Sequence, residues 1–326
     1  MIKKIPLPAT GVMLGMAALG NLLQSYSEGV RLLCGAVSLI LGILIVIKII
    51  LYPGQFAGDM KNPIMASVSG TFSMAVMLLA GYAKPFVGSS AVIIWYAGIG
   101  LHIALMVYFT ARFMIHLKMQ QVFASYYIVY VGIAVASVTA PAFDKLAVGT
   151  AAFWFGFAAA LILLVLVTYR YVNFKQVPEP AQPLFCIYTA PVSLCLAGYI
   201  QSVQPKSLGL VLFMMILSSV IYIAVLIKTP AYLKMKFYPS YAAFTFPFVI
   251  TAIGLKMAMA CLGGMGHPVP ALSYAVAGET VIASVLTIYA LVRYGMAVLE
   301  RGHCPPGQPE SGTGFEIRIG KKETNR

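Results

Sequence analysis

The sequence of 326 residues contains few charged side chains and very few acidic ones. Asp and Glu number nine against 22 Lys and Arg, and charged residues make up 10% of the chain whereas hydrophobic residues make up 60%. A soluble domain carries about 25% charged residues, so a chain of this composition cannot cover its surface with solvated groups. The scarcity of charge excludes an ordinary soluble protein and indicates an exterior that faces lipid.

Catalytic and nucleotide-binding motifs are also missing. No HExxH, GxSxG, GxxxxGK[ST] or GxGxxG pattern occurs, so no residues support a metalloprotease, a hydrolase or a nucleotide-binding protein. The five cysteines show no metal-binding spacing. The basic residues are scattered singly between apolar runs, which argues against nucleic acid as a partner. We therefore expect no enzyme activity, no cofactor and no metal.

What the sequence does contain is a series of apolar runs, each about the roughly 20 residues that a membrane helix needs. These runs predict ten spans, at 9–25, 30–52, 63–83, 88–117, 122–141, 147–173, 183–201, 208–229, 239–262 and 270–299. Short connections make neighbouring spans antiparallel, so the spans form five helical hairpins in a domain of residues 1–300. The polar composition of residues 301–326 predicts a disordered cytoplasmic tail.

The positions of the basic residues orient the spans. If the N-terminus is inside, the outer connections hold only Arg31, Lys84, Lys145 and Lys206, the inner segments hold 17 basic residues, and Lys256 falls within a span. Basic residues are retained on the cytoplasmic side. This pattern predicts a multi-pass protein of the plasma membrane with both termini in the cytoplasm.

Proline divides the spans into two kinds. Pro191 and Pro247 lie inside the seventh and ninth spans, whereas the even-numbered spans, which are longer, have no interior proline. A proline in a membrane helix frees a carbonyl group and bends the axis, which is tolerated only where protein or water satisfies that group. We therefore predict an all-α protein whose odd-numbered helices, kinked at Pro191 and Pro247, form a central pore inside an outer ring of even-numbered helices.

The odd-numbered spans also contain a repeat. The residues Pro183, Phe185, Tyr188, Thr189 and Pro191 recur 56 positions later as Pro239, Tyr241, Phe244, Thr245 and Pro247. A looser register places Gly11 and Gly132 opposite Ala190 and Phe246. Four inner helices would then offer three small residues and one aromatic ring at one depth, although close helix packing explains the small residues equally well.

These stretches resemble the TehA and slow anion channel family, also called the tellurite-resistance/dicarboxylate transporter family. The resemblance rests on residues 6–11, 14–19, 131–136, 190–191 and 243–247, in that order. It implies ten helices in five hairpins, a homotrimer with one pore per subunit, and a phenylalanine, here Phe246, that occludes the pore near Gly11. Family members often have prolines where this chain has Ala124 and Tyr130, so Tyr130 is expected to narrow the pore or lend it a hydroxyl group.

The distribution of acidic residues indicates what passes through such a pore. None of the nine Asp and Glu residues falls in an odd-numbered span, so the predicted pore offers no attraction to cations. The leading hypothesis is a channel for small anions, gated by Phe246 and offering weak polar contacts. The expected pore-lining residues are Gly11, Thr10, Gly132, Tyr130, Thr189, Ala190 and Thr245. The alternative is a secondary transporter for malate or another dicarboxylate, sulfite or tellurite.

Ionisable residues within the spans are few. Lys256 either attracts anions in an outer vestibule, pairs with Glu279, or extends its side chain to the membrane surface. His102, in an outer helix, is more consistent with a hydrogen-bonded packing residue than with a proton relay. Together with Lys256 and Glu279 it completes the set of candidate coupling groups for a transporter.

Overall fold

The structure, a computed structural model, describes residues 2–174 and 176–300. Every regular element in these ranges is helical, so the prediction of an all-α protein is confirmed. The α-helices are α1 (Ala9–Leu23), α2 (Glu28–Leu51), α3 (Pro53–Asp59), α4 (Pro63–Val87), α5 (Ala91–Phe109), α6 (Tyr126–Val131), α7 (Ala134–Thr139), α8 (Leu146–Asn173), α9 (Ala190–Ser202), α10 (Leu208–Leu233), α11 (Phe246–Gly264) and α12 (Leu272–Glu300). The tail predicted at 301–326 lies outside the described residues.

Seven helical stretches within the described ranges are long and apolar enough to cross a membrane. One of them, Pro63–Met114, is 52 residues long and contains both α4 and α5. The chain turns between them at Gly88, whose φ of +61° glycine adopts at no steric cost. Two shorter apolar helices lie at Ala9–Leu23 and Ala134–Phe143. A chain with this many apolar helices is a multi-pass membrane protein.

The long helices differ in how much of their surface is buried. In Glu179–Ser202, 89% of the apolar stretch is buried, whereas in Leu208–Leu233 only 28% is. The buried residues of α10 recur every three or four positions, and its other faces expose apolar side chains such as Ile216 and Ile223. Since lipid is the solvent that such faces require, α9 lies in the protein interior and α10 at its lipid-facing periphery.

The internal repeat folds the same way twice. A 3-10 helix, Glu179–Thr189, precedes α9, and another, Pro239–Phe244, precedes α11. In each case a proline, Pro191 or Pro247, is the second residue of the following α-helix. A proline in the first helical turn removes few of the helix's own hydrogen bonds. These prolines therefore mark where an α-helix starts after a 3-10 segment, rather than a bend within one continuous α-helix.

Two element boundaries differ from those expected. The fifth span divides into α6 and α7, because the helix is interrupted at Gly132 and Ile133, and glycine is a weak helix former. α10 continues past its predicted end to Leu233, so Pro230 lies in its last turn. One lipid-facing helix therefore does contain a proline, at a terminus rather than in its centre.

Close contacts between small residues join the interior helices. A Cβ atom added to Gly15 of α1 would lie 2.4 Å from Cβ of Thr245 and 3.1 Å from the backbone nitrogen of Phe246. A Cβ atom added to Gly254 of α11 would lie 2.9 Å from the carbonyl oxygen of Ser193 in α9. Packing of this kind drives helix association in membranes, and it brings α1, α9 and α11 into direct contact.

We expect Gly15→Ala to destabilise the protein and Gly100→Ala, its matched control, not to. The added methyl group at Gly15 collides with α11, and overpacking typically costs about 1–3 kcal/mol. An added methyl group at Gly100 in α5 meets no atom within 4 Å, and alanine favours a helix by about 1 kcal/mol over glycine. Thermal unfolding in detergent measures both effects. Equal Tm values for the two variants would contradict the α1–α11 contact.

Candidate functional site

Two cavities meet in the interior of the protein. The inner cavity has a volume of about 50 Å³ and the outer cavity about 480 Å³. Their linings share two residues, Phe246 of α11 and Leu194 of α9. The two cavities are therefore separated where these two apolar side chains lie.

The position of Phe246 is determined by its attachment to α1. Phe246 is the first residue of α11, and the hydroxyl group of the preceding Thr245 donates to the carbonyl oxygens of Gly11 (2.9 Å) and Ala242 (2.7 Å). The absence of a side chain at Gly15 lets Thr245 and the backbone of Phe246 approach α1 closely. These contacts hold the Phe246 ring, which is 5% exposed, between the cavities.

The inner cavity brings together four of the residues expected at one depth. Gly11, Gly132, Ala190 and Phe246 all line it. At Gly132 there is no room for a larger residue, because a Cβ atom would lie 2.8 Å from Cε1 of His102 and from the sulfur of Met74. The looser register proposed from sequence therefore places these residues around a common space.

Three expected lining residues do not line either cavity. The hydroxyl groups of Thr10 and Thr189 donate to carbonyl oxygens three positions earlier, those of Leu7 (2.9 Å) and Cys186 (3.1 Å), and Thr245 donates as described above. A buried threonine satisfies its hydroxyl group on its own helix in this way. These three residues contribute to neither cavity, and their place along the pathway stays a prediction.

Tyr130 is also absent from both linings. Its hydroxyl group is 2.8 Å from that of Thr110, in the π-helical turn that follows α5, and its ring contacts Phe109 edge-on. Neighbouring residues of α6, Tyr127, Ile128 and Val131, line the inner cavity instead. Because successive residues are about 100° apart around a helix, these three residues are centred about 105° away from Tyr130, which lies to one side of the lining face. Tyr130 contributes to neither cavity, and its role in the pathway stays a prediction.

Sequence reasoning missed lining residues that the repeat could have revealed. The 56-residue spacing pairs Leu184 with Ser240 and Leu194 with Ile250. The first pair lines the inner cavity and the second pair lines the outer one. Pairing every position of the repeat, and not only the matched ones, would have brought all four residues together.

The outer cavity has a mixed lining that includes two basic residues. Its polar lining consists of Asn21, Gln24, Arg31, Thr139, Gln201 and Lys256. Nζ of Lys256 donates to the hydroxyl oxygen of Ser25 (2.6 Å) and to the carbonyl oxygen of Leu22 (3.2 Å). Arg31 forms an ion pair with Glu28, donates to the side-chain oxygen of Asn21 (3.3 Å) and lies over the Tyr82 ring. Two cationic groups thus border this cavity.

Lys256 and Glu279 do not form the ion pair considered as an alternative. The ammonium group of Lys256 bonds to the end of α1 and the following turn, as above, and lies 5.0 Å from the centre of the Tyr26 ring. Glu279 of α12 is 8% exposed, and its Oε2 has no hydrogen-bond partner among the described residues. Neither cavity is lined by Glu279.

His102 is fully buried, and both of its ring nitrogens are engaged. Nδ1 lies 2.8 Å from the hydroxyl group of Ser73, and Nε2 lies 3.0 Å from the carbonyl oxygen of Val129. A carbonyl oxygen only accepts, so Nε2 carries the proton. The contacts tie α5 to α4 and α6, which fits the packing role expected for His102.

Residues 4–294 match the model of the voltage-dependent anion channel family. The chain belongs to this family. The match confirms the resemblance to TehA and the slow anion channels. No curated protein matches the chain. The family consists of membrane channels and transporters for anions, not enzymes.

None of the described residues that line the two cavities is acidic in this member of the voltage-dependent anion channel family. Among the described residues, no group of His, Cys, Asp and Glu side chains is arranged to hold a metal ion. The outer cavity instead carries Arg31 and Lys256, and the inner cavity is almost wholly apolar. The positive field of Arg31 and Lys256 attracts anions to the outer cavity.

We expect Glu279→Gln to leave Tm unchanged or to raise it, because Oε2 of this buried carboxyl group has no hydrogen-bond partner among the described residues and a neutral amide costs less to bury than a carboxylate. Combining it with Lys256→Gln should give additive changes, with a coupling below about 0.5 kcal/mol. A double-mutant cycle of thermal unfolding measures this value. A coupling energy well above that level would show that Lys256 and Glu279 interact after all.

Proposed function

We propose that this protein is a channel of the plasma membrane that conducts small anions through a central pore closed by Phe246. The supporting observation is the pair of cavities that adjoin at Phe246 and Leu194. An apolar plug at a constriction stops ions because dehydrated charge is costly there. Moving the Phe246 ring would join the two cavities into one passage.

The proposed architecture is ten membrane helices in five hairpins, with odd-numbered spans around the pore. The seven long stretches become eight when α4 and α5 of the 52-residue stretch are counted separately. The two short spans, α1 and the α6–α7 segment, bring the number to ten. Apart from Arg31 at the start of α2, the cavity-lining residues belong to α1, α4, α6, α7, α9, α11 and the segments that adjoin them. These are the odd-numbered spans, which supports the inner ring.

The orientation and assembly proposed here rest on sequence. The excess of basic residues in the even-to-odd connections and in the terminal segments supports cytoplasmic N- and C-termini. The family resemblance supports a homotrimer with one pore in each subunit. In that orientation the basic cavity opens to the outside and the small apolar cavity lies on the cytoplasmic side of Phe246.

A carrier for dicarboxylate, sulfite or tellurite is the second candidate, and the candidate coupling groups weigh against it. His102 and Glu279 line neither cavity, and both nitrogens of His102 are engaged. Lys256 remains, and its cavity is open and wide. Substrate and coupling-ion sites of such carriers lie together near the membrane midplane, and of the three candidate groups only Lys256 borders a cavity, which supports the channel.

Phe246→Ala should increase anion conductance by at least about tenfold, which corresponds to removing about 1.4 kcal/mol of barrier. Phe248→Ala is the matched control, since Phe248 is buried two positions away, contacts Tyr222 and lines neither cavity. Currents across planar bilayers containing purified protein measure both. Equal currents from both variants would remove Phe246 as the gate, and saturating flux without unitary currents would favour the carrier.

Lys256→Gln should reduce anion entry from the outside about two- to threefold at low ionic strength. A unit charge about 7 Å from an ion contributes about 0.6 kcal/mol in a water-like medium, and about 1 M salt should abolish the difference. Lys145→Gln, an exposed lysine on the same proposed side that does not line the outer cavity, is the control. If the two substitutions reduce inward anion current equally, Lys256 has no specific role.

A further inference from the structure

Arg31 and Lys256, the two cationic side chains that line the outer cavity, differ in their partners. Lys256 donates to the hydroxyl oxygen of Ser25 and the carbonyl oxygen of Leu22, so its hydrogen-bond partners among the described residues carry no charge. Arg31 forms an ion pair with Glu28, which lies three positions earlier in the chain. The carboxylate of Glu28 therefore offsets much of the positive charge that Arg31 presents to the cavity.

The guanidinium group of Arg31 is fixed by contacts on two sides. Its Nε donates to the side-chain oxygen of Asn21 in α1 (3.3 Å), and its Cζ lies 4.4 Å from the centre of the Tyr82 ring in α4. The Tyr82 hydroxyl group donates in turn to the carbonyl oxygen of Ala17 in α1 (2.7 Å). These contacts do not involve Glu28. The guanidinium group therefore keeps its place at the junction of α1, α2 and α4 when Glu28 moves away.

Glu28 is held less firmly than Arg31. Its side chain is 53% exposed, against 11% for the side chain of Arg31, and it does not line the outer cavity. An ion pair with one partner this exposed contributes little free energy. Glu28 is also the first residue of α2, where a carboxylate interacts favourably with the helix N-terminus. The carboxylate can therefore leave Arg31 for water while α2 stays intact.

We infer that Glu28 competes with the permeating anion for Arg31: its carboxylate occupies the guanidinium group, and an anion that enters the outer cavity displaces it. This inference rests on the proposed channel function. A carboxylate and a halide both accept hydrogen bonds from the same N–H donors. A group on a short tether acts at an effective concentration on the order of millimolar. Glu28 thus weakens anion capture at low external concentrations and is displaced at higher ones.

Glu28→Gln tests the competition in the Phe246→Ala background, where the pathway is open. With chloride supplied from the side of the outer cavity, the half-saturating chloride concentration of the current should fall about threefold. This change corresponds to about 0.65 kcal/mol, within the range of an exposed ion pair. Asp144→Asn is the matched control, since Asp144 is an exposed acidic residue on the same proposed side and does not line the outer cavity. It should leave the half-saturating concentration nearly unchanged.

Arg31→Gln distinguishes competition from simple repulsion. If Glu28 acts by occupying Arg31, Glu28→Gln should have no more effect than Asp144→Asn once Arg31 is replaced. A carboxylate that only repels anions acts independently of Arg31, so the two substitutions would then be additive, and that result would overturn the inference. Weaker stabilisation of the start of α2 would lower Tm, but it would not make the chloride dependence contingent on Arg31.

A second measurement does not depend on conduction. Phenylglyoxal modifies arginine, and mass spectrometry locates the product. Arg31 should react faster in Glu28→Gln than in the unsubstituted protein, because the carboxylate no longer covers the guanidinium group. Chloride should slow this reaction at a lower concentration in Glu28→Gln. Equal rates in the two proteins, or an equal effect of chloride on both, would overturn the inference.

The failure of this inference is distinguishable from the failure of the channel proposal. If Phe246→Ala carries no current but chloride protects Arg31 at a lower concentration in Glu28→Gln, the channel proposal fails and the competition stands. If Phe246→Ala conducts and Glu28→Gln leaves the half-saturating chloride concentration unchanged, the channel proposal stands and the competition is overturned.

Discussion

The contact between α1 and the start of α11 is the constraint on which the candidate pathway depends. Gly15 has no side chain, and Thr245 occupies the space that one would fill while donating to the carbonyl oxygen of Gly11. A polar bond inside a membrane protein is retained because no water competes for it. The contact fixes the residue that follows Thr245, and that residue is Phe246. The ring that separates the two cavities is thus positioned by backbone packing, and only its own side-chain torsions are left to move.

The two cavities differ in both size and charge. The outer cavity is large and carries Arg31 and Lys256, whereas the inner cavity is small and lined almost entirely by apolar side chains. A full charge inside a narrow apolar passage would hold an anion too tightly for rapid release. Arg31 and Lys256 lie in the wider cavity, where cationic groups raise the local anion concentration without that cost. Most hydroxyl groups of the interior helices, including those of Thr10 and Thr189, are already used within their own helices.

The helices at the lipid-facing exterior share one pattern of burial. Helices such as α10 and α12 bury one stripe and expose apolar side chains elsewhere, which is the pattern that lipid requires. The interior helices α1, α9 and α11 instead bury most of their surface and contain small residues where they cross. Glycine and alanine allow the backbones to approach, and the cavities form where this approach leaves room around Phe246.

Composition, hydropathy and charge distribution determined by themselves that the chain is an all-α membrane protein, because each depends only on which residues are present and in what order. The repeat of 56 residues likewise located the two segments that begin at Pro183 and Pro239, and with them Ala190 and Phe246. The direction of individual side chains was decided only by tertiary structure. Tyr130 bonds to Thr110, Lys256 bonds to the end of α1 rather than to Glu279, and the Ser240 hydroxyl group has no hydrogen-bond partner among the described residues. Sequence could not settle these three, because each depends on which neighbouring helix supplies a donor, an acceptor or empty space, and that is set by packing between segments far apart in the chain.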